Sequence, residues 1–182
     1  TVVMSTGASA RELGLPKEKE LTGKGVAYCA ACDGMFYRGK TVAVVGGGNT
    51  AAADALLLSR VAKKVYLIHR RDTLRATKIY HEPLKNAENV ELRWNSAVAE
   101  LLSGEKLSGI RVKNLHSGEE EKIELDGLFV SVGRKPATES FAGQVELDAG
   151  GYIAAGENTQ TNIPGVYAVG DVRTKLLRQV VT

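Results

Sequence analysis

Five small or β-branched residues, Thr41-Val42-Ala43-Val44-Val45, run directly into three consecutive glycines, Gly46-Gly47-Gly48. No other feature of the 182-residue chain constrains its fold as much. An apolar run without alternation suits a strand buried on both faces, as in a parallel sheet. Residues 49–60 are rich in Ala and Leu and predict a helix, and Val65-Tyr66-Leu67-Ile68 predicts a second buried strand. Strand, glycine turn, helix and strand in about thirty residues make a βαβ unit, whose crossover is right-handed.

Other segments fit around this unit. Residues 1–6 predict a strand ended by Gly7-Ala8-Ser9, and 11–24, with Gly14, Pro16 and Gly23, a connector. Residues 77–87 predict a helix despite Pro83, and 90–94 a short strand. The period then changes to two: 96–102, 108–115 and 120–125 predict a β-meander, with Ile110, Val112, Ile123 and Leu125 alternating with charged residues and Ser117-Gly118 at a turn. Residues 128–132, a short stretch near Tyr152, and 166–169 predict further strands.

Composition excludes several classes of function. Apolar residues are 43% and charged residues 25%, the balance of a globular chain, and the net charge of +3 gives no electrostatic reason to expect a nucleic-acid or membrane partner. The uncharged stretch around the apolar middle, residues 41–53, is too short to cross a bilayer. No basic segment followed by an apolar one marks a secretory signal at the start, so a cytoplasmic location is expected. The chain opens at Thr1 on an apolar run and ends without a polar tail, which predicts a piece of a longer protein.

Three motifs carry candidate chemistry. Gly46-Gly47-Gly48-Asn49-Thr50-Ala51 fits G-x-G-x-x-A, placed after a strand and at the start of a helix. Gly46 allows the tight turn, Gly48 lets a pyrophosphate approach the backbone, and Ala51 lets helix and strand pack closely. The phosphates would sit on free N–H groups at the positive end of the helix. About twenty residues on, where NAD-binding versions place an acid on the ribose 2′-hydroxyl, stand His69, Arg70 and Arg71, with Arg75 following. Guanidinium groups there suit a 2′-phosphate, and hence NADPH; a solvated basic turn is the alternative.

Cys29 and Cys32, the only cysteines, are three positions apart and precede Asp33-Gly34. Two cysteines cannot form a disulfide framework, and His69, His81 and His116 are too scattered to complete a zinc site, so no metal is expected. The pair reads as a redox dithiol, against the alternative of two unrelated buried thiols. Asp33 is a candidate proton donor or simply a turn residue.

Together, Cys29-Ala-Ala-Cys-Asp-Gly34, Gly46-Gly-Gly-Asn-Thr-Ala51, His69-Arg-Arg-Asp-x-x-Arg75 and Gly170-Asp171 with Arg178-Gln179 resemble bacterial-type, low-molecular-weight thioredoxin reductases, in order and spacing over essentially the whole chain. The resemblance implies an α/β fold: a Rossmann-like NADPH-binding domain of three-layer ββα architecture over residues 11–133, plus incomplete FAD-domain segments at 1–10 and 134–182. It implies that Cys29 exchanges with thioredoxin, Cys32 lies beside the flavin and Asp33 is the general acid. Gly46, Gly48, Asn49, Thr50, Ala51, His69, Arg70, Arg71 and Arg75 would serve NADPH. Thr6, Gly7, Gly170, Asp171, Arg178, Gln179 and Val180 would serve FAD. Thioredoxin or a thioredoxin-like protein would be the partner, and the full-length family is homodimeric.

The chain departs from the family pattern at several points. The family's own G-x-G-x-x-G for FAD, about a hundred residues before this motif set, and the final helix of the FAD domain are not in the sequence given. Ser5 stands for the family's Ala, Ala53 for a Glu, with Asp54 following, and Ala137 for an Asn after Pro136. Three other readings remain. A peroxiredoxin-linked flavoprotein reductase would prefer NADH. An NADPH-binding fragment would have no activity of its own. A thioredoxin-like fold would have its own Cys-x-x-Cys, and the glycine turn opposes this third reading.

Overall fold

The computed structural model describes residues 1–175 and Arg178. In chain order its strands are β1 (Val2–Met4), β2 (Ala8–Ala10), β3 (Val26–Ala27), β4 (Thr41–Val45), β5 (Lys64–Ile68), β6 (Val90–Arg93), β7 (Ser96–Ser103), β8 (Leu107–Asn114), β9 (Glu120–Glu124), β10 (Gly127–Val130), β11 (Arg134–Pro136) and β12 (Val166–Ala168). The helices are α1 (Ala30–Asp33), α2 (Asn49–Ser59) and α3 (His81–Asn86). The chain divides into two compact units, Arg11–Gly133, and Thr1–Ala10 with Arg134–Thr182.

The first of these is a mixed α/β unit built on a five-stranded parallel sheet in the order β3-β10-β4-β5-β6. Strand β4 is central because both of its faces are apolar. Val42 and Val44 point to one side with Val65, Leu67 and Phe129, where they meet Ala51, Ala52, Ala55 and Leu58 of α2. Ala43 and Val45 point to the other side with Ile68, Leu128 and Val130, under Leu101, Leu107, Ile110, Val112, Ile123 and Leu125 of the antiparallel meander β7-β8-β9. Helix, sheet and meander are thus three layers around two cores, the ββα arrangement that the resemblance implies; the change of period marks the meander. The three alanines keep α2 close to the sheet, and burial of Leu58 alone contributes about 1.5–3 kcal/mol.

Some expected elements take another form. Residues 77–87 are not one helix but a 3₁₀ turn, Lys78–Tyr80, followed by α3. Pro83 is tolerated because it lies in the first turn of α3, where its missing N–H has no carbonyl to serve. No strand forms near Tyr152; Ile153 makes only isolated bridges to Leu147 and Arg173.

The second unit contains a parallel pair, β1 with β12, and an antiparallel pair, β2 with β11. Strand β2 lies just beyond the glycine expected to end the first strand, and is stabilised by pairing with residues about 126 positions away in the chain. Val145, Ile153, Ala155, Ala168 and Val172 form a separate small core.

Candidate functional site

In a parallel sheet every strand ends on the same edge, and ligands bind beyond that edge where the strand order reverses. Here β4 is followed in the chain by β5 and β6 on one side, while β10, which arrives after the meander, lies on its other side. The reversal therefore falls between β4 and β10. The glycine turn leaves β4 at this point.

Each glycine has its own physical reason. Gly46 has a φ of 149°, and a Cβ there would run into the Ser131 carbonyl oxygen and stand 2.7 Å from the Ala51 methyl. Gly47 lies under the His69 ring, which a Cβ would strike. Gly48 begins α2 and has nothing within 4 Å of where a Cβ would be. No side chain caps α2, so its first N–H groups face this open side. The Nε2 of His69, a residue 5% exposed, is buried without a hydrogen-bond partner. An open helix N-terminus, a close backbone approach and an unsatisfied buried imidazole nitrogen fit a dinucleotide's phosphates. Thr50 is exposed beside them.

Arg70, Arg71 and Arg75 follow β5 and are exposed, and none forms an ion pair among the described residues. Burial first, and then the positive charges of Arg75, Arg71 and Arg70, hold His69 below its ordinary value of 6.5, against a backbone hydrogen bond at Thr73. The ring is therefore neutral at pH 7, and the loop carries three guanidinium groups, with Asp72 as its one acid.

Strand β3 ends at Ala27, and Cys29 and Cys32 form a disulfide with a Cα–Cα distance of 5.3 Å. Because β3 and β4 both flank β10 and run parallel, the disulfide segment and the glycine turn leave the same sheet edge about 10 Å apart. Cys29 caps α1, with Sγ 3.1 Å from the N–H of Cys32. Cys32 is exposed and Cys29 half-buried, so exposure alone does not single out Cys29 as the outward sulfur. Asp33 closes α1, half-buried, and burial followed by its negative charge raises the Tyr37 phenol.

Several contributors escaped the sequence reading. Met35 and Phe36, 59% and 74% exposed, put an apolar pair directly after the disulfide. Glu18, only 1% exposed, accepts the N–H groups of Leu13, Gly14 and Leu15 and the Tyr28 hydroxyl next to Cys29. Burial, with the Glu18 hydrogen bond second, pushes Tyr28 up to about 12. The alternating charges of Lys17-Glu18-Lys19-Glu20 look like a solvated run, which hid this role. The departure at Ala53 leaves an exposed methyl, while Asp54 accepts a 2.6 Å hydrogen bond from Ser131.

In the second unit the parallel pair β1 and β12 ends at Thr6-Gly7 and Gly170-Asp171, again on one edge. Thr6 donates to Ala137 O at 2.6 Å, and the Ala137 N–H donates to Gly7 O. The Asp171 carboxylate lies 3.9 Å from both Arg134 and Lys175. The Arg178 guanidinium stacks 3.8 Å over Tyr152. Gln179 and Val180 lie outside the described residues. This edge provides two turns that could receive a second ligand. No metal-binding group of three or more His, Cys, Asp or Glu residues occurs among the described residues.

Comparison with known proteins gives a consistent result. The family model for pyridine nucleotide-disulphide oxidoreductases matches residues 1–182. The chain is similar to a thioredoxin reductase of Coxiella burnetii, 47% identical over all of this chain and 59% of the relative, and to one of Streptomyces coelicolor, 43% identical over all of this chain and 56% of the relative. It is also similar to the crystal structure of a Streptococcus pyogenes thioredoxin reductase, with a TM-score of 0.89, 40% identity, and coverage of all of this chain and 60% of that one. The chain thus spans less than two thirds of the length of these proteins.

Proposed function

The chain belongs to the pyridine nucleotide-disulphide oxidoreductase family, and from that premise we propose that it is the NADPH-binding and disulfide-bearing part of a flavoprotein that reduces thioredoxin or a thioredoxin-like protein. The observation that carries this reading is a single sheet edge with the glycine turn after β4, the exposed arginines after β5 and the Cys29–Cys32 disulfide after β3. A thioredoxin-like fold is not compatible with this sheet. The NADPH domain would be residues 11–133, and residues 1–10 with 134–182 would be segments of an FAD domain, with FAD served by Thr6, Gly7, Gly170, Asp171 and the 178–180 segment.

When bound, NADPH and FAD would supply the electron pair that opens the Cys29–Cys32 disulfide. The α2 N-terminus and Gly48 would hold the pyrophosphate, while Arg70, Arg71 and Arg75 would clamp the 2′-phosphate and so favour NADPH over NADH. Once the disulfide is reduced, the N–H of Cys32 favours a thiolate on Cys29. That thiolate attacks the partner's disulfide to form a mixed disulfide; Cys32 then attacks Cys29 Sγ, which restores the internal disulfide and releases the partner as a dithiol. Asp33 gives a proton to the departing sulfur. Exposed Met35 and Phe36 offer the partner an apolar footing beside this chemistry. Homodimerisation and a cytoplasmic location belong to this reading; no helix among the described residues is long and apolar enough to cross a membrane.

The test on this chain is calorimetric titration with NADPH and with NADH. Tight binding of NADPH alone supports the reading. A preference for NADH would move it to the peroxiredoxin-linked reductases, equal affinity would overturn the arginine clamp, and binding of neither would end the reading.

A further inference from the structure

Between the arginine loop and the glycine turn, three consecutive backbone N–H groups donate hydrogen bonds that no motif announces. Arg75 and Ala76 donate their N–H groups to Gly47 O at 2.7 and 3.0 Å, and Thr77 donates its N–H to Asn49 Oδ1 at 2.8 Å. The other end of the loop is held by the sheet: His69 donates to Arg93 O, and Ser96 donates to His69 O, both at 2.9 Å. The loop carrying Arg70, Arg71 and Arg75 is therefore fixed at both ends. At the end nearer Arg75, two bonds run from backbone to backbone, and the third depends on a side chain, that of Asn49.

We propose that Asn49 is a positioning residue for nucleotide specificity: its carboxamide oxygen latches the arginine loop to the dinucleotide turn and so sets Arg75 at the distance a 2′-phosphate requires. This rests on the reading that the unit binds NADPH. Asn49 is the first residue of α2, so its Cα is fixed by the helix that would hold the pyrophosphate. The Thr77 N–H is exposed and would otherwise bond only to water. Opening this bond leaves the glycine turn in place, because the Gly46 N–H donates to Ile68 O at 3.1 Å whether or not the Asn49 bond forms. The latch therefore acts on the 2′-phosphate subsite and much less on the part of the site shared by NADH and NADPH.

The two sides of the bond can be removed separately. Asn49→Ala deletes the acceptor. Thr77→Pro deletes the donor at a position whose φ of −59° already suits proline. Calorimetry with NADPH and NADH on the 182-residue chain, together with amide hydrogen exchange at residues 75–77, is the experiment. Asn49→Ala is expected to lower the NADPH-to-NADH affinity ratio about fivefold to tenfold and to speed exchange at Thr77. Thr77→Pro should lower the ratio similarly, and the double variant should fall no further than either alone. An unchanged ratio in Asn49→Ala, equal losses for both nucleotides, or additive effects in the double variant would overturn the inference while the NADPH reading stands. If the unmutated chain binds neither nucleotide, the proposed function itself falls.

Discussion

Asp54 and Ser131 show how much one residue pair can decide. Burial raises the Asp54 carboxyl above its ordinary 3.8, and the hydrogen bond from Ser131 partly offsets this. A raised carboxyl holds its proton more tightly when folded, so its contribution to stability is full below pH 3.8 and is lost as pH rises through the folded value. Asp54→Asn, which keeps an acceptor without the charge, should gain stability relative to the unmutated chain as pH rises through that window. Ser131→Ala should cost about 1.5–3 kcal/mol at pH 7, because it strands a carboxylate. Chemical denaturation at pH 3 and pH 7 checks both; a pH-independent difference for Asp54→Asn would exclude the burial account. At the same scale, loss of one guanidinium from Arg70, Arg71 or Arg75 should weaken NADPH about tenfold to a hundredfold and leave NADH nearly unchanged, as measured by calorimetry. Gly47→Ala must displace the His69 ring and should cost about 1–3 kcal/mol in thermal or denaturant unfolding.

Among the elements, the short α1 sets its two sulfurs apart in opposite respects. Cys32 is more exposed, but Cys29 receives the stabilising N–H. A thiolate attacks only if it is formed, so the hydrogen bond should outweigh static exposure. In the full-length protein, Cys32→Ser should trap thioredoxin as a mixed disulfide and Cys29→Ser should not. Mass spectrometry of both variants after incubation with an activated thioredoxin disulfide decides the matter; trapping through Cys32 alone would reverse the roles. Asp33→Asn should slow reoxidation of the reduced enzyme with little change in NADPH affinity, as expected of a proton donor.

At the scale of the molecule, residues Arg11–Gly133 contain two complete cores, one on each face of the sheet. The ends of this segment meet, since Arg11 donates its N–H to Gly133 O at 2.9 Å. Expressed alone, residues 11–133 should therefore unfold in one cooperative transition. NADPH at a hundred times its dissociation constant should stabilise the segment by about 2.7 kcal/mol. Scanning calorimetry with each nucleotide tests this, and a segment without a cooperative transition would show that its cores need the remaining residues.

The sequence alone determined the parts of this protein that short-range rules encode. An unbroken apolar run bounded by glycines specified β4 and the turn after it, and period two specified the meander, because burial on one or two faces is visible within a few residues. Spacing likewise displayed the Cys pair, the glycine fingerprint and the arginines. It could not display that Gly47 serves the His69 ring, that Glu18 is a buried staple within a charged run, or that Asn49 latches a loop 28 residues away. Nor could it display β2, whose partner is 126 residues distant. Only the tertiary structure decided that β10, arriving after the meander, inserts between β3 and β4 and so places disulfide and dinucleotide turn on one edge. Strand order depends on which distant apolar faces cover each other, and no local pattern in the chain records that choice.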